Sequence, residues 1–170
     1  MIGRMKLVCA WCKREMGTTG GPDDRTSHGI CESCKSHLDA ATSGVPLLRF
    51  LDSLDAPVTL VDDDVRVVYA NIRARLLLDK PSSDLERRLG GDVFECENSY
   101  LPGGCGKTPN CASCNLRNAV TRCYHSGQCA EGISATIRQR TAQGPVDLEM
   151  RISTKRVNDQ VLLRIDEISR

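Results

Sequence analysis

The sequence predicts an α+β fold: a five-stranded antiparallel sheet with helices inserted after the second strand, preceded by a small metal-stabilised module. Three observations carry this. First, the last part of the chain alternates. Ile133, Ala135 and Ile137 are spaced by polar residues. Val146, Leu148, Met150 and Ile152 alternate with Asp147, Glu149, Arg151 and Ser153, and Val161, Leu163 and Ile165 alternate with Leu162, Arg164 and Asp166. A period of two marks strands with one buried face. Second, Pro57–Asp62 and Val65–Ala70 flank the turn Asp62-Asp63-Asp64 and read as a hairpin. Third, Cys9-Ala-Trp-Cys12 and Cys31-Glu-Ser-Cys34 are two C-x-x-C pairs.

In chain order, residues 1–38 form the first module. Its C-x-x-C pairs are eighteen residues apart, within the spacing of two-knuckle zinc sites. The intervening Gly17-Thr-Thr-Gly20-Gly21-Pro22-Asp23-Asp24 offers little core. So short a segment needs a metal to fold, and structural zinc contributes on the order of 10–16 kcal/mol. Cys9, Cys12, Cys31 and Cys34 are therefore the expected zinc ligands, with Trp11 packed over the site. His28, three residues before Cys31, reads as a turn residue before Gly29, as a ligand in place of one thiolate, or as a hydrogen-bond donor to the site.

Residues 39–45 read as a linker, and 46–170 as the second domain. Pro46 opens a helix with the apolar stripe Leu47, Phe50, Leu51 and Leu54. It packs on the domain's sheet or on a second subunit. After the hairpin, Asn71 caps a helix over Ile72–Leu78. Three adjacent aspartates make a solvated turn a better reading than a cation site. Pro81 begins a short helix ending near Gly90-Gly91. Leu116, Ala119, Val120 and Cys123 recur at helical spacing and place an amphipathic helix over 115–125. Gln143-Gly144-Pro145 and Asn158-Asp159 supply the last turns.

Between those helices lies CENSYLPGGCGKTPNCASC. Cys96, Cys105, Cys111 and Cys114 fall within nineteen residues. The Cys111/Cys114 pair can face one point, as a metal with ~2.3 Å metal–sulfur bonds requires. Gly103, Gly104 and Gly106 free the backbone to wrap a buried ion. The string GCGKT is not a phosphate-binding loop, because Leu101 stands where that motif needs a glycine.

Composition narrows the function classes. With 170 residues, a formal net charge of +1 and 4% aromatics, the chain has no compulsory anionic partner and little surface for stacking bases. Ten cysteines, with two sets of C-x-x-C pairs among them, point to metal rather than disulfides. No stretch approaches the ~20 apolar residues of a membrane span. The apolar run before Cys9 is too short for a signal peptide, so the expected location is the cytoplasm.

Residues 46–168 resemble a PAS sensor domain. The resemblance is carried by APVTLVDDDVRVVYANIRARLLL, by GGDVFEC and by the ending VLLRIDEIS, whose Asp166-Glu-Ile-Ser169 looks like the family's junction after the last strand. The loop resembles a bacterial PAS subset with a GCG-x4-C-x-x-C segment, here Gly104-Cys105-Gly106 through Cys111 and Cys114, and with an upstream cysteine matching Cys96. Residues 8–38 resemble a short cysteine-rich module at the edge of bacterial sensor proteins. These resemblances imply a signal-transduction module that senses redox state, oxygen or a small ligand where PAS domains bind cofactors, on the helical side of the sheet. Its output would lie in a partner such as a histidine kinase or a transcription regulator, and a homodimer through 45–54 is expected.

Four thiolates at Cys96, Cys105, Cys111 and Cys114 suit zinc or an iron–sulfur cluster. A metal-free thiol switch is the third option, with Cys123 and Cys129 as resolving thiols. The plainer expectation for these two is a core cysteine on the helix and a strand-entry residue. The competing function is a zinc-knuckle nucleic-acid-binding regulator under PAS control, using Lys6, Lys13, Arg14 and Arg25. No Cys–His pairing with an orienting third residue emerges, so no catalytic residue is expected.

Overall fold

The computed structural model describes residues 3–21, 26–39 and 45–169. The chain divides into two compact units, Met1–Ala56 and Pro57–Arg170.

In the first unit, strands β1 (Gly3–Cys9), β2 (Glu15–Gly21) and β3 (Thr26–Gly29) form a sheet in the order β2-β1-β3. β1 runs antiparallel to β2 and parallel to β3. The glycine-rich stretch, expected to offer little core, supplies much of β2, because a backbone ladder with β1 needs no side chains. Its continuation, 22–25, lies outside the described residues, as do most of the expected linker, 40–44, and the side chain of His28. Helices α1 (Glu32–Asp39) and α2 (Val45–Asp52) follow, and Leu47, Leu51 and Leu54 of the expected stripe are buried.

The second unit is built on a five-stranded antiparallel sheet: β4 (Val58–Val61), β5 (Val67–Ala70), β6 (Ile133–Thr141), β7 (Gly144–Val157) and β8 (Gln160–Ser169). Its order is β5-β4-β8-β7-β6. All the helices of this unit lie between the second and third strands: α3 (Ile72–Leu78), α4 (Ser82–Leu85), α5 (Gly90–Val93) and α6 (Asn115–Ser126). This is the arrangement that the resemblance to PAS sensor domains implies. Asn71 caps α3 as expected. Its Oδ1 accepts from the N–H of Ala74 at 2.8 Å and from that of Val58 at 3.0 Å, so the cap also joins the helix to β4.

Two expectations need correction. The helix from Pro81 does not run to Gly90. Arg87 takes a left-handed φ of 64°, and its N–H donates to the carbonyl of Val67 at 2.7 Å. That pairing ends α4 early and lays the chain along β5. Gly90-Gly91 then begins α5 instead of ending a helix. β8 also buries both faces. Leu163 and Ile165 join the main core, while Leu162 and Arg164 on the other face are 0% and 2% exposed. β8 pairs with β7 along its length and with β4 over residues 161–164, so that part of its backbone is enclosed in the ladder on both sides. The Arg164 guanidinium is partnered by Asp166 at 2.5 Å, and the Ser153 hydroxyl donates to the same carboxylate at 2.6 Å. A buried cation needs such partners.

Candidate metal centres

Cys9 closes β1, Cys12 lies in the connection to β2, and Cys31 and Cys34 bracket the start of α1. The turn that carries Cys12 is closed just after it by Lys13 at φ 60°, and is held by Lys13 N–H to the Cys9 carbonyl at 2.9 Å and Cys9 N–H to the Arg14 carbonyl at 2.8 Å. The N–H of Ala10 donates to the carbonyl of Gly29 at 2.7 Å, which brings the end of β1 against the end of β3. All four sulfurs then lie within 4.8 Å of one another, with Cys12 and Cys31 at 3.7 Å. Cys9, Cys31 and Cys34 are buried, and Cys12 is exposed. Backbone N–H groups already point at sulfur: Cys31 donates to Cys9, and Cys34 to Cys31, each at 3.4 Å. Burial alone would raise the Cys9 pKa, but N–H donors from Cys12, Cys31 and Trp11 bring it down to about 6. Cys34 moves the other way, raised by burial and by the neighbouring thiols. Four close sulfurs with one ionised near neutral pH are a donor set that fits one soft divalent cation.

The loop cysteines are organised differently. The bridge between Cys96 and Gln139, and Arg140 N–H to the Glu95 carbonyl at 2.8 Å, pin the loop's entry to β6. Its turns use Gly103, Gly104 and Gly106 at φ 96°, 73° and 87°, as the sequence anticipates. Cys114 leads directly into α6. All four cysteines line one cavity of about 40 Å³, together with Val65, Gly90, Gly91, Leu116, Arg117 and Ile137. Among the described residues, however, only the N-terminal four gather within 4.8 Å of one another. The loop sulfurs stand farther apart round their cavity.

The cavity wall is suited to negative sulfur. Gly91 N–H donates to Cys105 at 3.3 Å, Gly106 N–H to Cys111 at 3.2 Å, and the Thr108 hydroxyl lies 3.1 Å from Cys111. Burial pushes the Cys96 and Cys105 thiols up. At Cys111 burial is the largest influence and acts upward, but Thr108, Gly106 and the Arg117 charge together bring the thiol below its ordinary value. Arg117 is itself held by Asp64 of the β4–β5 turn through both a carboxylate oxygen and the backbone carbonyl. The aspartate turn thus has a function in the loop's electrostatics. Asp62 accepts from the N–H groups of Asp64 and Arg66 and shapes that turn.

Cys123 and Cys129, expected as a core cysteine on the helix and a strand-entry residue, are joined in a disulfide that neither role anticipates. Cys123 is a core cysteine on α6, as expected, and fully buried. The signal available in the sequence was Gly127, which ends α6 at φ 70° and turns the chain back. Asp64 with Arg117, and Gly91 under Cys105, carried no local signal.

No family model and no curated protein matches the sequence. Among solved structures, the chain is similar to the PAS domain of nitrogen regulation protein NR(II) from Vibrio parahaemolyticus, with 16% identity, TM-score 0.46, and coverage of 74% of this chain and 99% of that one. It is also similar to a LOV protein of Rhodobacter sphaeroides, with 12% identity, TM-score 0.48, and coverage of 70% and 62%. A third is the photoactive yellow protein domain of the sensor histidine kinase Ppr from Rhodospirillum centenum, at 14% identity, TM-score 0.40, and coverage of 71% and 92%. No described helix is long and apolar enough to cross a membrane.

Proposed function

We propose that the chain is a PAS-type signalling module of the cytoplasm whose sensing site is the cysteine-lined cavity of residues 96–114. The observation that carries this reading is that all four loop cysteines, scattered over nineteen residues, line one cavity beside α6 and the sheet. The N-terminal cysteines hold a structural zinc, for which their closeness and burial are suited. In the loop, four thiolates suit an iron–sulfur cluster, the redox-active alternative to a single zinc. Such a group would supply a charge that changes with redox state or oxygen. The chain's own residues would hold it with four thiolates, direct Gly91 and Gly106 N–H groups at the sulfurs, and keep Arg117 as a counter-charge. Tightening or release of the loop would pass through α6 to a partner such as a histidine kinase or transcription regulator.

The test is metal and sulfide content, with the visible spectrum, of protein purified without oxygen. One zinc per chain plus iron, sulfide and a brown colour bleached by air supports the proposal. Two zinc and no visible absorbance removes the sensing role from this loop.

A further inference from the structure

The disulfide between Cys123 and Cys129 is not part of either cysteine site. Cys123 is fully buried in the core, whereas Cys129 is exposed. Their Cα atoms are 4.2 Å apart across the helix end. Both sides of that closure are fixed without the sulfur–sulfur bond. Gly127 N–H donates to the Cys123 carbonyl at 3.1 Å, and Cys129 N–H to the Gly127 carbonyl at 3.0 Å. Beyond Cys129, Ala130 N–H donates to the Thr154 hydroxyl and Thr154 N–H to the Ala130 carbonyl, each at 2.8 Å, and Gly132 N–H donates to the Ser153 hydroxyl at 2.9 Å. Two thiols held in this way stay adjacent after reduction and can pair again.

Cys129 also lines an open groove of about 300 Å³ with Asn115, Asn118, Arg122, Gln128 and Ile133. That volume lies at the lower end of small-molecule sites. It presents amides, an apolar side chain and, among the described residues, an exposed guanidinium with no ion pair, at Arg122. We propose that Cys123 and Cys129 form a reversible thiol–disulfide site, worked at Cys129 from this groove by a small carboxylate-bearing thiol. The groove offers amides for a peptide backbone and Arg122 for a carboxylate.

The exchange has two steps. The thiolate of the small thiol attacks Cys129 Sγ, forms a bond to it and breaks the Cys129–Cys123 bond; the Cys123 sulfur leaves with the electron pair and takes up a proton. A second thiolate then attacks the mixed disulfide at its own class of sulfur. It releases the symmetrical small-molecule disulfide and leaves Cys129 as a thiolate. Two thiols are oxidised and one protein disulfide is reduced, and the oxidised small molecule drives the reverse. Burial closes Cys123 to attack, so the order of events is fixed. The disulfide lies at the C-terminal end of α6, while its groove runs along the helix to Asn115, next to Cys114.

The experiment uses the full, metal-loaded chain in glutathione buffers of graded ratio, followed by thiol trapping and peptide mapping, with 2-mercaptoethanol as the uncharged control thiol. The linked Cys123–Cys129 peptide should interconvert reversibly with the dithiol form, and the trapped glutathione adduct should sit on Cys129. Arg122→Ala should slow the glutathione reaction about two- to fivefold, the range of an exposed ion pair, and leave the 2-mercaptoethanol rate unchanged. Cys129→Ser should abolish the adduct while the far-ultraviolet circular dichroism keeps its wild-type form. An adduct on Cys123, a linked peptide that never forms in oxidised buffer, or an equal rate loss with both thiols would overturn the proposal.

Discussion

The two four-cysteine sets use the same side chains to opposite structural ends. In the N-terminal unit the sulfurs crowd within 4.8 Å and three of the four cysteines are buried. The sheet around them is rich in glycine and threonine, so the cysteines and Trp11 are much of what is buried there. In the second unit the loop cysteines edge a core that already contains Val61, Leu85, Phe94, Leu116, Val120 and Ile165. There the sulfurs line a cavity and do not close it. A metal would thus be a folding element in the first case. In the second it would be a guest on a domain that apolar burial already holds together.

Removing metal should separate the two most strongly. Trp11 is the single tryptophan, is 7% exposed, and lies between Cys9 and Cys12. Its emission therefore reports the N-terminal unit alone. Chelation, or Cys34→Ser, should shift that emission to the red and remove amide-exchange protection over 3–21. A contribution on the order of 10–16 kcal/mol exceeds what so small a unit can replace. Protection in β7 and β8 should persist. An unshifted Trp11 after complete zinc loss would show that the first unit has a core of its own, and the contrast would fail.

The second test is steric. A Cβ on Gly91 would lie 2.7 Å from Cys105 Sγ and 2.8 Å from its Cβ, with no left-handed φ to complicate the substitution. Gly91→Ala should cost about 1–3 kcal/mol as overpacking and push Cys105 out of the cavity wall. Gly104 is the control: its φ is +73°, but the nearest atom to an added Cβ is 3.9 Å away. Gly104→Ala should cost about 1–2 kcal/mol of backbone strain without moving a sulfur. Thermal unfolding should thus fall in both, and loop-bound metal only in the first. Equal metal retention would mean that Cys105 is not a ligand.

How much of this was legible depended on range. The alternation of Leu148, Met150 and Ile152 fixed a strand face because neighbours at spacing two share it. Asn71 before Ile72 marked a helix start because a cap acts within three residues. The paired C-x-x-C spacing was readable for the same reason. The buried Arg164 was not, because its Ser153 partner sits on another strand, in a register that no local pattern encodes. The early end of α4 depended on Val67, twenty residues upstream of Arg87. For the loop, spacing identified the four cysteines but not how closely they gather, since Gly91 and Cys105 meet only after α5 has docked.

The smallest effect concerns charge. Arg117 and Asp64 are 53 residues apart and join the loop cavity to the β4–β5 turn. With side chains 18% and 49% exposed, the pair itself should add only about 0–1 kcal/mol. Its chemical consequence falls on the thiols. Burial raises Cys105 while Arg117 pulls it down, and Arg117 helps carry Cys111 below its ordinary value of 9.0. In metal-free protein, Arg117→Gln should therefore raise the titration of both, read as thiolate absorbance in the ultraviolet. Asp64→Asn leaves the Arg117 charge unbalanced and should lower them. The stability consequence has a definite sign. A folded pKa below the unfolded one adds stability above the unfolded value, which is lost as pH falls through the folded value. Arg117→Gln should thus lose more stability above pH 9.0 than in acid. The N-terminal site has no cation among the causes that lower Cys9, where backbone N–H groups and the Cys12 thiol oppose burial. Opposite shifts of Cys111 in the two variants, with Trp11 emission unchanged in both, would mark the counter-charge as belonging to the loop site alone.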